Sequence, residues 1–172
     1  MESYALLIAA TLNAGTVLAI ASLGLLINEK AGIVNLGAEG IMLCAAIAGF
    51  ATVVHSGSDW LGFAAGIGAG ALIALVFGLL VIWLGTNQYA TGLAVSLFGA
   101  GFSAFVGIAY VQEKIPERPR FSIPGLGDIP LVGPALFRHH PMVYLTVGFT
   151  ITLIWWLYRS RAGLVLRSVG ES

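Results

Sequence analysis

Charge is scarce in this chain: only 9% of its residues are Asp, Glu, Lys or Arg, against roughly 25% in a soluble globular domain. Eight basic and eight acidic residues cancel to zero formal charge, and they fall almost wholly between apolar blocks, so neither a nucleic-acid partner nor a polyanionic substrate is suggested. The one cysteine, Cys44, stands inside an apolar run. It has no partner for a disulfide or a cysteine metal site and reads as a small buried hydrophobe. No proline precedes Pro116, and all six lie between Pro116 and Pro141. A Gly-x-x-x-x-Gly-Lys-Ser/Thr phosphate loop is missing, so any ATP hydrolysis belongs to another chain. An intramembrane protease needs a nucleophile and base within the bilayer, but the Ser-His neighbours His55 and Ser56 are expected in a loop. His139 and His140 also fall in a loop, without metal-ligand spacing, and read with His55 as solvated histidines. The chain is not read as an enzyme, and no cofactor is expected. Met1-Glu2-Ser3-Tyr4 lacks the basic region of a signal peptide, so the first apolar run is expected to stay in the mature protein as a span.

What is present is hydrocarbon. Apolar residues make up 58% of the chain and its mean hydropathy is +0.94, which marks an integral membrane protein. A spanning helix needs about 20 apolar residues. The apolar windows predict an all-α, polytopic helix bundle of about five spans, near 5–27, 36–54, 61–84, 89–109 and 142–158. Gly85-Thr86-Asn87-Gln88 supplies the turn between the third and fourth. Trp155, Trp156 and Tyr158, followed by Arg159 and Arg161, close the fifth as an aromatic belt with snorkelling cations. The second is the irregular one: its approach, Gly32 to Gly40, holds three glycines and an acid, and it reads as a broken helix entering the membrane. The proline-rich stretch 110–141 cannot face lipid. It is the one long loop, and Phe121 to Pro134 within it is apolar enough to pack on the membrane surface. Basic residues do not orient the bundle: Lys30, Arg159, Arg161 and Arg167 lie on one side and Lys114, Arg118, Arg120 and Arg138 on the other.

Gly62, Gly66 and Gly70 recur every fourth residue, and Gly99, Ser103 and Gly107 repeat the device, giving faces where a neighbouring backbone can come close. They predict a compact bundle and identify no solute. Polar residues at membrane depth say more, because each is costly in hydrocarbon. Asn35 and Glu39 either cap and complement the half-helix start or border a translocation path beside an unwound helix. Asn87 and Thr91 share a helix face, next to Gln88, and serve either a polar solute or a neighbouring helix.

Four stretches, in order, resemble one family. Asn28-Glu29-Lys30-Ala31-Gly32-Ile33-Val34-Asn35-Leu36-Gly37-Ala38-Glu39-Gly40-Ile41-Met42 resembles the first signature of bacterial ABC importer permeases of the branched-chain amino acid, simple sugar and nucleoside class. Asn87-Gln88-Tyr89-Ala90-Thr91-Gly92-Leu93-Ala94 is similar to the family's asparagine-glutamine turn. Ile123-Pro124-Gly125-Leu126-Gly127-Asp128-Ile129-Pro130 resembles the external loop of its nucleoside and sugar members. Arg161-Ala162-Gly163 with Leu166-Arg167-Ser168-Val169-Gly170-Glu171 resembles the stretch leading into the cytoplasmic coupling helix.

The resemblance implies an inner-membrane permease subunit that forms the path for a small polar solute, a nucleoside or simple sugar being favoured. Residues 1–158 would be a partial transmembrane domain and 159–172 the start of the coupling segment. Its implied partners are an ABC ATP-binding subunit, a second permease subunit, an extracytoplasmic solute-binding protein and membrane lipid. Asn35, Glu39, Asn87, Gln88 and Thr91 are the candidate path residues. Arg161, Gly163, Arg167, Gly170 and Glu171 are the candidates for coupling to the ATPase. With the carboxy end cytoplasmic, the amino terminus and the loop 110–141 lie outside. Complete family members continue with several more spans, so the chain is expected to be an N-terminal half. The rival reading is a stand-alone secondary carrier, which half-helices and buried polar groups also suit but which needs no basic arm shaped for a partner.

Overall fold

The structure, a computed structural model, describes residues 2–115, 121–122, 138–139 and 141–170. In hydrocarbon a backbone must satisfy its own hydrogen bonds, so the uncharged runs become helices. Among the described residues five helices are long and apolar enough to cross a membrane: α1 (Glu2–Lys30), α2 (Ala38–Ser56), α3 (Asp59–Gly78) with its continuation Leu79–Trp83, α4 (Gln88–Gly107) with a tight last turn Ile108–Tyr110, and α5 (Pro141–Arg159). A short helix, α6 (Arg161–Gly170), follows at once. Two-residue strands β1 (Phe121–Ser122) and β2 (Arg138–His139) pair antiparallel, Phe121 opposite His139 and Ser122 opposite Arg138. The fold class is therefore all-α with five spans, as the hydropathy pattern predicts. Of the expected external loop, residues 116–120, 123–137 and 140 lie outside the described residues, and with them Arg118, Arg120 and His140.

The irregular approach to the second span consists of a turn and an extended piece. The chain leaves α1 at Lys30, passes Gly32 at φ 78°, and is helical again from Ala38. The span in two joined pieces is the third. Leu84 N donates to Leu79 O at 3.1 Å, five residues back, the mark of a π turn appended to α3. Gly85 at φ 63° then turns the chain, a left-handed conformation that glycine adopts without steric cost.

By its contacts the chain forms two compact units, one of residues 33–116 and one of residues 1–32 with 117–172. In the first, α2 packs against both α3 and α4. The Gly62/Gly66 face meets α2: a side-chain carbon at Gly66 would stand 3.1 Å from Ala45 O, and one at Gly62 would press on Val53 and Gly49 O. Small residues here let backbones touch, which is how helices gain packing energy in lipid. His55 and Ser56, expected in a loop, instead form the last turn of α2, because the helix runs on to Gly57; His55 Nε2 lies 2.9 Å from Tyr110 Oη, and Phe50 stacks edge-on against the same ring at 6.2 Å. In the second unit α1 packs on α5, and α6 packs on both. Among the described residues, Ala9 and Leu23 of α1 and Thr146, Leu153 and Leu157 of α5 are its buried side chains. The Thr146 and Thr150 hydroxyls donate to Met142 O and Thr146 O, each at 2.8 Å, so these two hydroxyls do not enter the apolar contact bare.

Candidate functional site

Two regions hold the candidate residues, one in each unit. In the first, the non-helical segment 33–37 is clamped onto α4. Gln88 Oε1 accepts from Val34 N at 3.0 Å, Ser96 Oγ donates to Leu36 O at 2.8 Å, and Asn35 Oδ1 accepts from Gly37 N at 2.9 Å. These bonds replace what a helix would have supplied, since backbone groups without a partner cost free energy at membrane depth. The clamp closes because α4 is bare where the segment lies. A side-chain carbon at Gly92 would be 2.9 Å from Leu36 N, and Gly99 abuts the Gly40 backbone directly. Gln88, Gly92, Ser96 and Gly99 recur at the spacing of one helix face.

The structure thus brings Asn35 and Gln88 together. Asn35 does not cap α2 in the N-cap position, which Gly37 occupies; it closes an Asx turn just before it. Glu39 stands exposed in the first turn of α2, where the helix dipole favours an acid. Asn87 caps α4, its Oδ1 accepting from Tyr89 N at 3.0 Å and Ala90 N at 3.2 Å. Thr86 Oγ1 donates to Leu80 O at 2.8 Å and lies 2.9 Å from Thr91 Oγ1. Thr86 has one proton to give, so Thr91 is the donor of that pair. The Asn35 Nδ2 and Gln88 Nε2 amides make no hydrogen bond to the described residues. The region offers amide donors, hydroxyls and one carboxylate, suited to hydrogen bonding a polar neighbour.

The second region is the arm after the fifth span. Ser160 breaks the helix and restarts it: its Oγ accepts from Gly163 N at 3.0 Å and its carbonyl from Leu164 N at 3.2 Å. Gly163 is buried, and a side-chain carbon there would be 2.5 Å from both Trp156 O and Leu157 O. The Arg167 guanidinium carbon lies 5.0 Å from the centre of the Tyr158 ring, a cation–π contact. Its Nε is buried with no hydrogen-bond partner among the described residues. At the far end Gly170 rests on Lys30 O, and a side-chain carbon on it would be 2.8 Å from Gly32 N. A ten-residue helix is about 15 Å long, enough to bridge two helices packed 8–10 Å apart.

Gly163, Arg167 and Gly170 lie on one face of α6, turned toward the unit. Leu164, Val165 and Val169 lie on the other, 61%, 59% and 61% exposed, with Arg161 exposed beside them. Glu171 lies outside the described residues. Sequence reasoning missed Ser96, for which the Gly92–Ser96–Gly99 spacing was a signal. It placed Tyr158 in the aromatic belt and Gly32 in the glycine-rich approach, but no short-range pattern gives Tyr158 its Arg167 partner or Gly32 its Gly170 contact.

Five helices long and apolar enough to cross a membrane, with a clamped entry into the second and a short helix after the fifth, define a polytopic membrane protein. The chain belongs to the family described as the permease component of branched-chain amino acid transport systems, whose model matches residues 7–172. The family is that of a permease subunit, which is not itself the ATP-hydrolysing enzyme. A protein of Haloferax volcanii named as a glucose ABC transporter permease is 42% identical over 176 residues, covering 99% of this chain and 53% of its own length. The guanosine ABC transporter permease protein NupQ of Bacillus subtilis is 32% identical over 186 residues, 99% of this chain and 57% of that protein. A nucleoside ABC transporter permease of Lactococcus lactis is 29% identical over 186 residues, 100% of this chain and 58% of that protein. The chain spans little more than half the length of these relatives. No solved structure gives a significant match.

Proposed function

We propose that this chain acts as a permease subunit of an ATP-driven ABC importer and forms part of the path for a nucleoside or simple sugar. The carrying observation is the arm: the fifth span continues into an amphipathic helix whose inner face is seated on the first and fifth spans and whose outer face is exposed. A subunit that must take up a partner's motion needs such a handle. The relatives' names, one for glucose and two for guanosine or nucleosides, support a solute carrying a hydroxylated sugar ring.

In this reading residues 159–172 begin the cytoplasmic coupling segment, the amino terminus is outside, and the loop 110–141 receives a solute-binding protein. Lys30, Arg159, Arg161 and Arg167 then lie on the cytoplasmic side. The outer face of α6, with Arg161, would meet the ATP-binding subunit, and a second permease subunit completes the bundle. Glu39, the spare amides of Asn35 and Gln88, and the start of α4 at Asn87 and Thr91 would border the path. The test is a cysteine at exposed Ser168, in a complete transporter with Cys44→Ala. An impermeant maleimide should label it in inside-out vesicles and not in intact cells; labelling in intact cells overturns the orientation and with it the coupling role.

A further inference from the structure

We infer that Gly163, Arg167 and Gly170 are positioning residues that fasten α6 to α5 and α1, so that the arm and these two spans move as one piece. The inference rests on the permease reading above and assigns these residues a role different from direct contact with an ATPase. All three lie at positions i, i+4 and i+7 of α6, hence on one face, and each has its neighbour within its own unit. Gly163 is closed over by Trp156 O and Leu157 O at 2.5 Å from where a side-chain carbon would be. Arg167 sits over Tyr158 with its Nε already out of solvent. Gly170 is pressed on the Lys30 carbonyl and the Gly32 backbone. Gly163 is buried and Arg167 and Gly170 are half-buried, so a protein surface cannot reach the Gly163 contact without first prising the arm off.

The α1 end is built for that seat. Ala31 N donates to Ile27 O and Asn28 O at 3.1 and 3.0 Å, and Gly32 N to Glu29 O at 3.0 Å, which closes the helix. Gly32 then takes φ 78°, a left-handed cap in which a side chain is strained. The bare Cα of Gly32 faces the bare Cα of Gly170: a side-chain carbon added to Gly32 would be 3.2 Å from it. The two glycines make a contact of backbone on backbone, which neither flexes like a side chain nor yields to a small shift. Force applied at α6 therefore reaches the first span directly, in addition to the fifth span through the chain.

The test uses a complete transporter with its ATP-binding subunit. Gly170→Ala should leave the ATP-binding subunit co-purifying and ATP being hydrolysed, while uptake per ATP falls about tenfold, within the range of measured coupling energies. Val165→Asp on the outer face should instead abolish co-purification. Loss of co-purification in Gly170→Ala, or unchanged uptake per ATP, overturns the positioning role; retention in Val165→Asp sinks the permease-coupling reading and leaves the clasp standing. A measurement that needs no glycine variant is the distance between spin labels at exposed Glu29 and Ser168, with Cys44→Ala. It should stay constant between nucleotide-free and ATP-bound states, and a distance that changes with nucleotide overturns the one-piece motion.

Discussion

The clamp at 33–37 and the arm at 161–170 are both short departures from membrane-spanning helix, and they are held in opposite ways. At the clamp, polar side chains of one helix reach the backbone of a segment that has lost its own hydrogen bonds. At the arm, a ten-residue helix with its own backbone ladder is seated by glycines that remove side chains from the contact. The first is a repair of hydrogen bonding and the second a repair of distance. Polar residues near the membrane thus do not by themselves mark a solute path in this fold, and a glycine in the arm does not by itself mark a partner's groove.

The comparison breaks most severely at Gly99, where the clamp also depends on a missing side chain. Its face abuts the Gly40 backbone, so Gly99→Ala should cost about 3 kcal/mol or more, at the upper end of overpacking costs, because backbone cannot rotate away. A loss of folded protein in detergent, or a large fall in unfolding midpoint, checks it. A tolerated Gly99→Ala would show that α2 and α4 can part freely. Next is Gln88→Ala, which removes the acceptor of the part-buried Val34 N. Leaving that donor bare should cost about 1–3 kcal/mol. Gln88→Glu keeps an acceptor oxygen and should recover most of it. Ser96→Ala, which takes one donor from Leu36 O, should cost about 0.5–1.5 kcal/mol, since a carbonyl tolerates one missing partner better than an N–H does.

How far the sequence could be read follows the same division. The five spans were legible because hydrophobic runs of that length have few alternatives in water or lipid. The departure from helix before the second span was legible from Gly32, Gly37 and Gly40 around a lone acid. The reach of Gln88 to Val34, 54 residues away in the chain, was not, because nothing local distinguishes an amide that clamps a backbone from one that waits for a solute. Sequence likewise marked Arg167 and Gly170 as special without their direction. A glycine signals that something comes close, and only the fold says that the something is Lys30 and not another protein.

The smallest expected effects lie at Tyr158 and Glu39, and they sharpen the contrast by differing in kind. Tyr158 is 57% exposed, so its cation–π contact with Arg167 belongs to the weak, solvent-reached class. Tyr158→Leu should lower stability by about 0.5–1 kcal/mol, while Tyr158→Phe, which keeps the ring face, should lower it by less. Since Gly163 and Gly170 hold the two ends of α6 independently of that ring, the arm should stay seated in both variants, and the spin-label distance from Glu29 to Ser168 should not move. Glu39 is exposed and in the first turn of α2, so Glu39→Gln should change stability by no more than about 0.5 kcal/mol. A change in uptake at unchanged stability would then report on the path itself, because of the five path candidates Glu39 alone is not engaged in holding the clamp, the turn before α4 or its cap.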